Sequence, residues 1–485
     1  MSCGDSQVEQ LRKTLAKRDA DLAKRDADLA ARESEIQQLR AEVERLLQRL
    51  AELQEQLGQN SSNSSKPPSS DSPRDKPKKT RSGKGRRKRG GQKGHRGHHR
   101  VRLPESQVDQ IVDHYPQACE NCWKPLPQTP DPNASWHQTT EIPPLKPHTT
   151  EDRWHEVECP CCHYRTRAAR TDLPVSPFGP RLSSIIAMLT GVYHVSRRAT
   201  KRLLSDLLGV HLSLGGISNV EARVSAALKP GVDEAWAQVP EAKAKHTDGT
   251  SWKMGVLPLQ LWVIATAAVT VFKILVDGSK ESLRPLFGQL KGILVSDRAK
   301  ALTFWAMERR QICWAHLIRR FVSFSERDGP AGALGRELLE ATGIVFSYWH
   351  DYRDKRLSRK ALLHRMAPLR QRIEALLARA AAAGIKGVSG SCADILAHRA
   401  ALWNFLDKRG VEPTNNHGER ELRAFVLWRR RSFGTQSERG NAFAENIMTV
   451  VHTARKQQRE VLPLLTGYCE AAWSGTEPPR LVASS

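Results

Sequence analysis

Residues 242–300 read AKAKHTDGTSWKMGVLPLQLWVIATAAVTVFKILVDGSKESLRPLFGQLKGILVSDRAK. Apolar runs fall in KHTDGTSWK (245–253), LQLWVIATAAV (259–269) and TVFKILVDG (270–278), separated by short turns. A helical stretch, KESLRPLFGQL (280–290), then leads into a fourth run, GILVSDRAK (292–300). This order predicts three antiparallel strands, a helix, and a fourth strand parallel to the first. An acidic residue sits on the first strand, Asp248, and another ends the fourth, Asp297. Carboxylates converging from separate elements are what a Mg²⁺-dependent phosphoryl-transfer site requires, because Mg²⁺ takes hard oxygen ligands and two ions clamp the attacking and leaving oxygens.

A third carboxylate is sought downstream. RRQICWAHLIRRF (309–321) reads as a fifth strand running into a helix, and residues 326–408 are strongly helical. Pro413, Thr414, Asn415 and Asn416 are stop-and-cap signals, which start a helix near Asn416 and put Glu419 in its first turn, on a face with Leu422, Arg423 and Val426. Each acid also has a plain structural reading. Asp248 precedes Gly249 and suits a turn, Asp297 suits a helix N-cap, and Glu419 can pair with Arg423 at i,i+4. Local sequence does not choose between them.

Upstream, residues 177–228 are apolar at helical spacing, and RRATKRLLSDLLGVHLSLGGISNVEARV reads as helix, Gly209 turn, helix. That pattern serves either DNA reading or packing on the next domain. Before it stand Cys119-Glu-Asn-Cys122 and Cys159-Pro-Cys161-Cys162, two knuckles separated by strand-like sequence. The spacing fits a zinc ribbon with a structural Zn²⁺ on Cys119, Cys122, Cys159 and Cys162, since four ligands leave no open position. Cys161 or His163 remains an alternative to Cys162. The alternative to a ribbon is a set of unligated thiols.

From Gly58 to Arg102 periodicity is lost. Residues 73–103 hold fourteen Lys or Arg and one acid, Asp75, a local charge of +13. Such a tract buries too little to fold alone and binds phosphate backbones by counterion release, unless it is merely a solvated linker. At the N-terminus Leu15, Leu22, Leu29, Ile36, Val43, Leu50 and Leu57 recur at seven-residue spacing, and AKRDADL is repeated in tandem at 16–22 and 23–29. A seven-residue apolar repeat predicts a coiled coil, hence a homo-oligomer. Arg18, Arg25 and Arg32 weaken the companion position in the first half.

With 485 residues the chain is long enough for several domains, and its net charge of +24 points to a polyanion such as nucleic acid. No apolar run is long enough for a membrane span, and the N-terminus shows no signal-peptide core, so a cytoplasmic, non-membrane protein is expected. Nine cysteines, an odd number concentrated between Cys119 and Cys162, favour metal ligation over a disulfide framework.

The ordered set of a coiled-coil start, NSSKPPSSD, GQKGHRGH, the double knuckle, HTDGTSWK, LVSDRAKA, CWAHLIRRF and NNHGERELR resembles the insertion-sequence-66 family of DDE transposases across nearly the whole chain. The resemblance implies an α/β fold. A ribonuclease-H-like catalytic core (241–325 and 409–460) carries a helical insertion (326–408) and is followed by a C-terminal tail (461–485). A coiled coil (5–57), a disordered basic linker (58–103), a zinc-ribbon domain (104–172) and a helical, possible helix-turn-helix region (173–240) precede it. It also implies a DDE triad of Asp248, Asp297 and Glu419 that holds two Mg²⁺ for strand cleavage and strand transfer without a covalent protein–DNA intermediate.

The implied partners are double-stranded DNA at element ends and target, with small accessory proteins of the same element. The implied setting is bacterial and nucleoid-associated. Cys313 and His316 match the family's Cys-His pair and are taken as packing or site-shaping residues, since the pair alone is an incomplete zinc site. His417 is a candidate to orient phosphate or water, and Arg420, Arg423 and Arg429–Arg431 are candidates for backbone contacts. Two departures stand out: Gly249 occupies a position often acidic in the family, and Arg429-Arg430-Arg431 replaces an Arg-Lys pair. A DNA-binding regulator leaves the acidic region without a role. A nuclease that cuts without joining does not need the DNA-binding front end.

Overall fold

The computed structural model describes residues 3–61, 63–64, 101–169 and 176–482. Most of the basic tract expected at 58–103 lies outside the described residues. The chain divides into two compact units, Met1–Pro77 with Ala222–Ser485, and Lys78–Glu221.

Helix α1 runs over Cys3–Gly58, which at 1.5 Å per residue makes it about 84 Å long. Its heptad residues Leu15, Leu22, Leu29, Ile36, Val43 and Leu50 are exposed, as are the companions Leu39, Leu46 and Leu53. A helix of this length with an uncovered heptad stripe fits a coiled coil.

The unit spanning Lys78–Glu221 holds a short antiparallel pair, β1 (Glu156–Glu158) and β2 (Arg165–Arg167), placed just outside the second cysteine knuckle. Helix α2 (Pro180–Ala187) precedes α3 (Arg197–Leu208). The Ser196 side chain caps α3 by accepting from Ala199 N, and Gly209 ends it at φ 64°, a left-handed conformation that glycine adopts without strain. Helix α4 (Leu214–Ala227) follows, so the expected helix, glycine turn and helix are present.

After α5 (Lys229–Gln238) comes a five-stranded mixed sheet: β3 (Ala244–Met254), β4 (Leu257–Ala265), β5 (Thr270–Leu275), β6 (Ile293–Ser296) and β7 (Arg310–Ile312). The strand order is β5-β4-β3-β6-β7. The first three strands are antiparallel, while β6 and β7 run parallel to β3. The crossover expected to be one helix is a single turn, α6 (Lys280–Leu283), continued as a 3₁₀ turn to Phe287. Pro285 and Gly288 stop it from extending. Central β3 buries Lys245, whose Nζ donates to the carbonyls of Pro240, Ala242 and Lys291, so the ammonium closes the turns before β3 and β6.

Beyond β7 the chain is helical: α7 (Trp314–Ser325), α8 (Gly329–Arg353), α9 (Arg359–Ala382), α10 (Ser389–Ala397), α11 (Arg399–Leu402) and α12 (Asn404–Asp407). These helices share one apolar core with β6 and β7, centred on Trp314, Trp349, Trp403 and Phe405. Buried polar groups lock the block to the sheet. Gln311 Nε2 and Trp314 Nε1 both donate to Leu402 O, Gln311 Oε1 accepts from Phe405 N, and Asn404 Nδ2 donates to Arg310 O.

Helix α13 (Asn416–Ser432) and α14 (Glu438–Lys456) return to the sheet. The outward N–H groups of β5 at Thr270, Phe272 and Ile274 donate to Thr453 Oγ1, Thr449 Oγ1 and Glu445 Oε1 of α14. Two residues of strand advance about as far as four of helix, so the two periods stay in step. The C-terminal segment expected at 461–485 begins with α15 (Val461–Ser474), which buries Leu464, Leu465, Tyr468 and Cys469. Those apolar residues recur at helical spacing.

Candidate active site

Asp248 lies mid-way along β3, opposite Val263 of β4, with Oδ1 accepting from Gly249 N. Asp297 directly follows β6, and its Oδ1 accepts from Ala299 N, a turn contact and not a helix cap. Glu419 sits in the first turn of α13, where the helix dipole favours an acid. It turns to α7, away from Arg423, with Oε2 3.5 Å from Arg319 Nη2 and Oε1 3.6 Å from His316 Nδ1.

These three carboxylates influence one another. The Asp248 carboxyl is pushed up to about 7, first by burial and then by the charges of Asp297 and Glu419, against the opposing pull of Gly249 N–H and Arg319. Arg319 acts on Asp248 and Arg298 and Arg310 act on Asp297, yet Asp248 stays raised by its burial and its acidic neighbours. A divalent cation would relieve that, and the all-oxygen donors suit Mg²⁺.

Asn415 holds the arrangement in register. It is buried, its Nδ2 donates to Thr247 O next to Asp248, its Oδ1 meets His246 Nδ1, and its N–H points at Cys313 Sγ. The Asn415 side chain thus ties the helix of Glu419 to the strand of Asp248, and its backbone N–H ties the same residue to the corner after β7. In the sequence Asn415 reads as one of the stop-and-cap signals around the start of α13, with no tertiary role. An asparagine offers donor and acceptor together, which is the property that mattered here.

A second polar cluster lies on the same helix. Glu421 contacts His417, His452 and Lys456. Burial works to raise its carboxyl, but the hydrogen bonds from His417 and His452 and the Lys456 charge outweigh it and hold it well below the usual range. His417 also packs on His246, with ring centroids 5.0 Å apart. Burial lowers His246 to about 4, so it stays neutral beside Asn415.

Gly249 has a steric reason to be glycine. A Cβ there would stand 2.9 Å from the Trp262 ring, its cross-strand partner. Arg429, a candidate for DNA contact, is instead committed to the sheet: its Nη1 donates to Thr250 Oγ1 and Ser251 Oγ. Arg420 and Arg423 are exposed.

Away from this site, the two cysteine knuckles share one backbone pattern. Cys119 N–H donates to Lys124 O and Trp123 N–H to Cys119 O; Cys159 N–H donates to Tyr164 O and His163 N–H to Cys159 O. Trp123 and His163 are both left-handed, at φ 58° and 57°. Backbone N–H groups from Cys122 and Asn121 lower the Cys119 thiol, and those of Cys162 and Cys161 lower Cys159. The pattern makes Cys162, not Cys161, equivalent to Cys122, while His163 Nδ1 is engaged by Glu158. Among the described residues the one cluster of three or more His, Cys, Asp or Glu ligand atoms within 4.8 Å of one another is Cys313, His316 and Glu419. The knuckle sulfurs are not drawn together in that way.

No curated protein matches the chain. Residues 7–101 match a family of unknown function, DUF6444. Residues 176–442, more than half of the 485 and including all three carboxylates, match the Transposase IS66 family, and the chain therefore belongs to that family.

Proposed function

We propose that this transposase binds the ends of its mobile element and cuts and joins DNA strands through Asp248, Asp297 and Glu419. The observation that carries the reading is the placement of three carboxylates on mid-β3, the end of β6 and the start of α13, where burial and then the charges of Asp297 and Glu419 raise Asp248 to about 7. A mixed sheet in the order β5-β4-β3-β6-β7, with acids on its first and fourth strands, supports a ribonuclease-H-like core spanning 241–325 and 409–460. The helical block 326–408 then reads as an insertion between the fifth strand and the helix of Glu419.

Asp248, Asp297 and Glu419 would hold two Mg²⁺ ions. When bound, these supply a nucleophilic oxygen at neutral pH and neutralise charge at the scissile phosphate. Asn415 positions the Glu419 helix against β3, and the β3 backbone fixes Asp248 on the sheet surface. His417, held by Glu421, is placed two residues before Glu419 to orient a phosphate or water. The exposed Arg420 and Arg423 suit the DNA backbone. No Ser or Tyr nucleophile is called for.

The remaining parts fit the same reading. The two matched knuckles support a ribbon with structural Zn²⁺ on Cys119, Cys122, Cys159 and Cys162. The exposed Arg198, Lys201 and Arg202 of α3 suit a DNA-facing helix, and the uncovered stripe of α1 suits a homo-oligomer.

The test is strand cleavage of labelled element-end DNA with Mg²⁺, with accessory proteins of the element supplied, alongside a binding assay. Glu419→Gln is expected to lose cutting and keep binding. Equal cutting by wild type and variant removes Glu419 from the site. A wild type that binds and never cuts turns the reading to a regulator, and one that cuts without joining turns it to a nuclease.

A further inference from the structure

Cys313 directly follows β7 at the cap of α7, and His316 follows it by three residues on the first turn of α7. On sequence this pair offers two donors, one or two short of a metal site. The fold supplies a third. Cys313 Sγ, one His316 ring nitrogen and a Glu419 carboxylate oxygen all lie within 4.8 Å of one another.

The spacing is unlike ordinary side-chain pairing. His316 Nδ1 and Glu419 Oε1 are buried, face each other 3.6 Å apart, and form no hydrogen bond. Two buried polar atoms left unsatisfied in this way are unfavourable unless something else pairs them. Ligand atoms around one tetrahedral cation, at bonds of about 2.0–2.3 Å, stand roughly 3.3–3.8 Å apart. The imidazole–carboxylate gap falls within that range.

We propose that Cys313, His316 and Glu419 bind a Zn²⁺-class transition cation. Thiolate plus imidazole plus carboxylate is a borderline-soft donor set that suits Zn²⁺ or Co²⁺ and not Mg²⁺. Three protein ligands leave the fourth position open. Binding releases the thiol proton from Cys313, a group that burial otherwise keeps protonated. The cation takes Glu419 Oε1, so that carboxylate oxygen is no longer available to the triad. Zinc therefore inhibits Mg²⁺-dependent cleavage. That last consequence, and only it, rests on the function proposed above.

The test uses the full chain, with any ribbon metal common to every sample. Zn²⁺ content is measured by equilibrium dialysis, and Co²⁺ binding by its thiolate charge-transfer and ligand-field absorption, in wild type, Cys313→Ser and His316→Gln. Both variants are expected to hold about one equivalent less than wild type, with the cobalt difference spectrum showing sulfur ligation lost in Cys313→Ser. His316→Gln, at a partly exposed helix position, guards against misfolding of the buried cysteine variant, and circular dichroism checks both. Equal metal content in all three proteins overturns the site. Metal bound as described, with no cleavage under any condition, leaves the site standing and sinks the triad reading. Cleavage by wild type without a metal difference between the variants does the reverse.

Discussion

Replacing Asp248 by Asn should make the cation-free protein more stable at pH 8. The wild-type carboxyl titrates near 7 in the fold against an ordinary value of 3.8. Between those values the folded state holds a proton that the unfolded chain has released, so Asp248 favours folding at low pH. That contribution is lost as pH rises from the ordinary carboxylate range through 7. The full shift corresponds to about 4 kcal/mol, at 1.36 kcal/mol per pH unit. The amide of the Asp248→Asn variant never ionises, so the variant should match wild type near pH 4 and exceed it by up to about 4 kcal/mol at pH 8.

Urea unfolding in EDTA, followed by fluorescence of the buried Trp252, Trp305, Trp314 and Trp403, measures the difference. Saturating Mg²⁺ should close the gap, because a cation binding only the folded wild type stabilises it by mass action. A variant that is less stable than wild type at pH 8 in EDTA, or a difference that does not move with pH, would refute the argument that burial and the neighbouring acids hold Asp248 protonated in the fold.

Other substitutions probe the neighbouring contacts. Asn415→Ala removes the side-chain links to Thr247 and His246, leaves the backbone N–H to Cys313 Sγ in place, and should cost about 1–3 kcal/mol in urea unfolding, given roughly 1 kcal/mol or more per buried hydrogen bond. Glu421→Gln should destabilise at neutral pH by about 2–4 kcal/mol, since it strips partners from His452 and Lys456. Its native carboxyl is depressed, so that stabilisation is full above the ordinary carboxylate range and shrinks as pH falls below it; the gap between the two proteins should narrow steadily as the same assay is taken to lower pH. Gly249→Asp should cost about 1–3 kcal/mol through the Trp262 clash, and a Trp262→Val background should recover most of it in a double-mutant cycle. Thr449→Val, which leaves the Phe272 N–H without its acceptor, should cost about 1–3 kcal/mol by thermal unfolding.

The sheet was legible because strand-length apolar runs and short turns are local signals. The start of α13 was legible from Pro413 through Asn416 for the same reason. What surrounds Glu419 was not. His316 and Arg319 reach it from about a hundred residues away, and no local spacing encodes that approach. The Arg423 pairing looked equally good on paper and lost to those tertiary partners. Gly249 read as a turn former because its constraint is the Trp262 ring across the strand pair, thirteen positions along the chain. The seal of α14 on β5 follows from matched periods in two elements far apart in sequence, which neither element shows by itself.

That seal has a consequence for assembly. A sheet grows by offering unused N–H and C=O groups to a neighbouring strand, and both margins of this one are engaged by side chains. Along β5 the outward amides are consumed by Thr453, Thr449 and Glu445, and at β7 the short strand is met by Asn404 and by the helices that follow it. Along β5 a second copy of this core therefore meets no free run of amides on which to add a strand. Side-chain surfaces bypass that margin, and α1 presents a long one, a stripe of exposed leucines that can pair while every strand stays as it is.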